Sequence, residues 1–251
     1  MSMFWFLVLI LILWQGGYYL AVEVFEIVKS YTLPSPLGVI ERCIELVTDG
    51  TLVQATINSL GRGFLGYVIA VVIGVFLGLL LYQVKYLQKN LKPMILGMQT
   101  LPSVCWVPFS ILWFGLSTEA ILFVVVMGAT FSIAIAVENA IKNVPPIYIK
   151  AALTMGADKS QLYSQVILPA CLPELVSGLK QGWSFAWRAL MAGEVMTTSI
   201  GLGQTLITGR DLADINQVML VMIVIVLVGI VIDKCIFSVV ERRLLSKRGL
   251  M

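Results

Sequence analysis

Long apolar runs decide what this chain can fold into. Stretches near residues 3–22, 57–82, 93–115, 118–141, 176–196 and 216–240 carry few charges. A helix of about 20 such residues crosses a hydrocarbon core of ~30 Å. Only 12% of the 251 residues are charged, against roughly 25% in a soluble domain. A membrane β-barrel would show ten-residue segments of alternating polarity, and none occurs. The sequence predicts an all-α polytopic membrane protein with about six transmembrane helices.

No Lys or Arg precedes the first apolar run and no small-x-small site follows it cleanly, so residues 3–22 are expected to stay as a span rather than be cleaved. Leu33-Pro34-Ser35-Pro36 opens an outer segment, with a short amphipathic helix over 38–49. Lys92-Pro93 is expected to open the third span. Pro102 and Pro108 should kink or interrupt it, because proline lacks the amide donor and clashes with the preceding turn. Gly115 and Ser117 supply a turn into the fourth. The expected organisation is a first span with outer segment (1–56), a five-span core (57–240) and a tail (241–251).

Four cysteines are widely spaced and the chain has no histidine, which argues against a disulfide framework or a zinc site. The 17 Lys and Arg residues are unevenly placed. With both termini inside, Lys85, Lys89, Lys92, Lys142, Lys150, Lys159, Lys180, Lys234, Arg242, Arg243, Lys247 and Arg248 lie on the inner side. Only Lys29, Arg42 and Arg210 lie outside. The positive-inside rule favours that orientation and puts the loop 142–175 in the cytoplasm.

That loop is polar, broken by glycine and ended by proline. Pro145-Pro146 favours a helix start, giving a short helix over Ile147 to Met155. Gly156 suits its C-terminal cap, where a left-handed backbone is easiest for glycine. Asp158-Lys159-Ser160-Gln161 has capping-box spacing, so a second short helix should run to Leu168, stopped by Pro169 and Pro173. The product is a helix–glycine–helix elbow.

The elbow reads Lys150-Ala151-Ala152-x3-Gly156-x9-Val166-x-Leu168-Pro169. It resembles the Glu-Ala-Ala loop of ABC importer permeases, with Val166 for Ile and Lys150 for the usual Glu. Asn58-Ser59-Leu60-Gly61-Arg62, Pro108-x4-Trp113-Phe114-Gly115, Gly193-Glu194-Val195-Met196 and Gly201-Leu202-Gly203 follow in order. With Leu33–Pro36 they extend the resemblance to the nitrate/sulfonate/taurine importer group. The resemblance implies a type I importer (MetI-like) permease in a bacterial inner membrane, and a dimer, by default of identical chains. It also implies two cytoplasmic ATPases carrying ATP and Mg, and an external solute-binding protein. It implies no cofactor on this chain, no enzymatic activity of its own and no nucleic-acid partner. The solute would be small and polar or anionic, sulfonate, taurine or nitrate-like, or alternatively a thiamine-precursor pyrimidine or other small organic nutrient. Lys150, Ala151, Ala152, Gly156, Asp158, Val166, Leu168 and Pro169 would form the ATPase-coupling loop.

Charges inside spans are expensive and usually face a polar interior. Arg188, beside Trp187 in the fifth span, is a candidate pathway residue facing an anionic solute; binding to backbone carbonyls of a broken helix such as the third is the alternative. Arg62 reads as pathway-lining or as snorkelling to the headgroups. Glu194 is positioned to brace the Gly201–Gly203 turn. Gly66, Ala70, Gly74 and Gly78 form a column of small residues, read either as internal packing or as a subunit contact.

No GxxxxGK[ST] loop is present, so ATP hydrolysis would sit on another polypeptide. A stand-alone secondary transporter would be favoured only by the broken third span. A membrane enzyme lacks any constellation of catalytic groups.

Overall fold

The computed structural model describes residues 3–26, 29 and 32–246. Expectations for the other positions, including Lys247 and Arg248 of the tail, lie outside the described residues. Every regular element among them is helical: α1 (Met3–Tyr18), α2 (Pro36–Thr48), α3 (Thr51–Gln83), α4 (Lys85–Thr100), α5 (Val107–Phe114), α6 (Thr118–Lys142), α7 (Pro146–Thr154), α8 (Lys159–Gln161), α9 (Leu168–Val195), α10 (Leu202–Asp211), α11 (Ile215–Ile232) and α12 (Ser238–Ser246). Wider π-turns follow α1, α8 and α11, and a 3₁₀ turn, Ser103–Trp106, precedes α5.

Four continuous helical stretches are long and apolar enough to cross a bilayer: Thr51–Gln83, Thr118–Lys142, Lys159–Val195 and Ile215–Arg243. A bent pair, Lys85–Thr100 with Ser103–Phe114, turned by 100°, is together apolar enough for a broken span or a re-entrant loop. At the amino end the apolar helix is the shorter Val8–Val24. Against the six spans expected from sequence, the described residues thus hold four continuous helices of spanning length, five with the bent pair taken as one broken span, and this shorter apolar helix at the amino end.

Two proline expectations are corrected. Pro93 does not open the third span but sits inside α4; the acceptor it leaves unused is the carbonyl of exposed Lys89, open to water. The break comes at Leu101-Pro102, and Pro108 falls in the first turn of α5, where its missing donor costs nothing. Pro169 and Pro173 do not stop a helix either: Lys159–Val195 is one 37-residue stretch. Just before Pro169 the Leu168 N–H reaches back five residues to Tyr163. Pro169 thus falls where the ladder is already irregular, while Pro173 sits within α9 itself.

The chain divides into two compact units, Met1–Leu60 with Glu194–Val228, and Gly61–Gly193 with Gly229–Met251. In the first, Ser35 caps α2 by accepting the Gly38 N–H at 2.9 Å, and its own N–H donates to Asn216 at 3.1 Å. Arg42 donates to Gln217 Oε1 at 2.7 Å and pairs with Asp214 at 2.9 Å, while Gln217 Nε2 donates to the Thr205 carbonyl. These bonds fix α2 and α10 against the first turn of α11.

In the second unit, α3 lies close along α6. A Cβ added at Gly66, Gly74 or Gly78 would come within 2.7 Å of Val125, 2.8 Å of Ile133 or 2.6 Å of Val137. Ala70 is fully buried. The small-residue column is internal packing. Ser117 caps α6 at the Ala120 N–H, after Gly115 has turned the chain with φ +69°. Trp106 and Trp113 around α5 pack on Phe123 of α6.

Candidate functional site

The elbow has the local form its residues dictate. Pro146 begins α7, and Gly156 ends it with φ +84°. Asp158 Oδ1 accepts the Gln161 N–H at 2.7 Å, and Gln161 Oε1 accepts the Asp158 N–H at 3.0 Å, a complete capping box. Lys150, Ala151, Gly156, Asp158 and Leu168 are exposed, and Ala152, Val166 and Pro169 are partly buried. The exposed surface is mainly apolar: Ile147, Tyr148 and Leu153 stand out, and Met155 is 86% exposed. Lys150 and Lys159 add positive charge. An apolar, rigid, cation-bearing elbow is suited to sit in a groove.

The foot of the elbow is held by a cluster that sequence reading missed. Glu138, with a fully buried side chain, pairs with Lys92 of α4 at 2.5 Å and with Lys142 of α6 at 2.7 Å. Gln88 Nε2 donates to the same carboxylate at 2.6 Å. One turn on, Asn143 Nδ2 donates to Glu174 of α9 at 2.6 Å. The ends of α4, α6 and α9 are thus tied together where the elbow begins. The Glu138–Lys142 spacing of four is the one local signal of this cluster; Lys92 and Gln88 join it from another helix.

At the break between α4 and α5 lies a cavity of about 280 Å³, bounded by Gln99, Thr100, Ser103, Trp106, Phe131 and Arg188 among others. Arg188 is the one charged residue lining it. Its Nε donates to the Ser184 carbonyl of its own helix at 3.2 Å, and its guanidinium lies 4.7 Å from the Phe185 ring centroid. The expected alternative, carbonyls of the broken third span, is not the bond observed. Trp187 points elsewhere: it is buried and stacks on Trp183 at 6.0 Å. Arg62 is partly buried on α3 and does not line this cavity. An arginine with polar groups and aromatic walls can receive a small anion bearing an organic group.

Glu194 is fully buried. Its carboxylate accepts from Ser59 Oγ at 2.7 Å and from the Gly203 N–H at 3.0 Å, while Ser59 Oγ accepts the Leu202 N–H at 2.8 Å. The acid thereby satisfies the open amides at the start of α10, where negative charge is favoured. A Cβ on Gly201 would lie 2.5 Å from this carboxylate. The Gly201–Gly203 turn is glycine because the acid occupies the space.

Residues 70–246 match the family model described as binding-protein-dependent transport system inner membrane component. A protein of Methanocaldococcus jannaschii named as an ABC transporter permease is 32% identical, over 86% of this chain and 84% of that one. A Bacillus subtilis protein named as the aliphatic sulfonates transport permease SsuC is 28% identical, over 96% and 85%. The nitrate import permease NrtB of a Synechocystis species is 26% identical, over 83% and 79%. In fold, the chain is similar to an inward-facing structure of the MetNI methionine ABC transporter, with TM-score 0.65 and 24% identity over 78% of this chain and 97% of that one. The chain therefore belongs to the binding-protein-dependent transport system inner membrane components, the family of ABC transporter permeases.

Proposed function

We propose that two copies of this chain form the pathway by which a small polar or anionic solute, sulfonate, taurine or nitrate-like, crosses a bacterial inner membrane. An external binding protein delivers the solute. Two separate cytoplasmic subunits hydrolyse ATP with Mg, and both termini of this chain face them. The elbow Lys150–Pro169 fits a groove on the ATPase and passes its movement to the spans. The observation that carries this reading is the elbow itself, an exposed apolar helix ended at Gly156 and joined through a capping box to the 37-residue span. The Glu138 cluster at its foot makes the elbow, α4 and α6 move as one piece. Arg188, in its cavity at the broken span, supplies the positive charge for the anion, in keeping with what the sulfonate and nitrate relatives are named for.

A cysteine placed at Met155 tests this reading. It should cross-link to the ATPase subunit in membranes, and the link should abolish uptake. Labelling of that cysteine from outside intact cells would reverse the orientation and overturn the reading.

A further inference from the structure

A second cavity, of about 440 Å³, opens beside the elbow. On α6 it uses Val137, Ala140 and Ile141, a different face from the Met127, Gly128 and Phe131 that line the Arg188 cavity. Its deep part is apolar, built from Val75, Leu79, Ile167, Cys171 and Leu175. Its polar residues gather at one end: Gln83 and Tyr82 close α3, while Ser160, Tyr163 and Ser164 stand near the start of the long fifth-span helix. Tyr82 and Tyr163 both line that end. From Val75 to Gln83 the helix rises roughly 12 Å, so the cavity runs from the apolar body of the spans to their lysine-rich end.

Two exposed cations adjoin the residues of the polar end in sequence. Lys85 follows Gln83 by two residues, and Lys159 adjoins Ser160. No acidic residue lines the cavity. Three acids lie within two residues of the lining, and each is engaged: Glu138 by Lys92 and Lys142, Glu174 by Asn143, and Asp158 by the Gln161 N–H. An apolar slot with hydroxyls at its mouth and cations beyond matches one kind of occupant, an amphiphile with a chain, ester oxygens and a phosphate.

We infer that this cavity holds an acyl chain of an anionic phospholipid from the leaflet at the lysine-rich end, with the phosphate held by Lys85 and Lys159. The inference depends on which end of the spans carries the lysines, not on the elbow's ATPase contact, so each can fail without the other. Because Leu168 of the elbow motif lines the slot, the lipid would also stiffen the joint between elbow and span.

The test is native mass spectrometry of the full chain released from nanodiscs of equal phosphatidylglycerol and phosphatidylcholine. The wild type should retain phosphatidylglycerol preferentially. Ala140→Phe, which fills the slot, should lose it. The double variant Lys85→Gln/Lys159→Gln leaves the core untouched and should lose selectivity, by up to about fivefold per lysine. Equal retention of both lipids by the wild type overturns the inference. So does unchanged retention in both variants, or a slot emptied of lipid because a second copy closes it.

Discussion

Asp158 and Gln161 cap each other across the elbow, each side chain accepting the other's backbone N–H at 2.7 and 3.0 Å. That reciprocal pair fixes the direction in which the fifth-span helix leaves Gly156. The elbow is therefore a stiff joint between a short exposed helix and a long helix of membrane-spanning length. A stiff joint transmits displacement, and a floppy one absorbs it.

Weakening the joint should uncouple transport without unfolding the spans. Asp158→Ala removes a cap worth about 1 kcal/mol, whereas Asp158→Asn keeps a good cap. Gly156→Val forces a β-branched residue to φ +84°, a strain of roughly 1–2 kcal/mol. Uptake and ATPase activity measured together should show Asp158→Ala and Gly156→Val hydrolysing ATP with little uptake, and Asp158→Asn close to wild type. Coupled transport by Gly156→Val would remove the stiff joint from the account.

Glu138 should matter for stability as well as coupling. Glu138→Ala strands Lys92 and Lys142, and breaking a fully buried pair typically costs ~3–5 kcal/mol. Both lysines keep some access to water, with side chains 25% and 40% exposed, so about 2–3 kcal/mol is expected here. Thermal denaturation of the detergent-solubilised protein reads this as a Tm lowered by several degrees. Lys142→Met should cost less, because Lys92 and Gln88 still satisfy the carboxylate.

Arg188→Gln should raise the KM for an anionic solute by about 10–100-fold, the loss of one charge-assisted hydrogen bond. Arg188→Lys should recover part of it. Wild-type uptake kinetics in a properly assembled Arg188→Gln transporter would take Arg188 out of the pathway.

At the Glu194 network, sterics should outweigh charge. Gly201→Ala drives a methyl to 2.5 Å from the carboxylate, and Glu194→Gln keeps one oxygen acceptor for the Gly203 N–H. Denaturation should place Gly201→Ala below Glu194→Gln in Tm. The reverse order would mean that the negative charge, not the fit, holds α10.

What could be read from the sequence was local. The Gly156 turn, the Asp158 capping box and the Glu194–Gly203 contact each involve groups within about nine residues, so spacing marked them, whereas the Ser59 that completes the Glu194 network lies 135 positions away. Proline was misread where its effect depended on neighbours. Pro93 is tolerated because the acceptor it leaves unused is at exposed Lys89 and the chain can break later at Pro102. Pro169 is tolerated because a π-turn precedes it. The Glu138–Lys92 pair spans 46 positions, and nothing in the spacing marks it. Arg188 stood out as a charge within a span, but only the 100° bend between α4 and α5 creates the cavity it lines.

The central claim is that this chain is driven through its elbow by a separate ATPase. Uptake should be measured in proteoliposomes holding this chain with its ATPase and binding protein, with and without ATP, and again with this chain alone. The account predicts uptake only in the complete, ATP-supplied sample, and its loss in Gly156→Val while ATP is still hydrolysed. Concentrative uptake by this chain alone, without nucleotide, would contradict it.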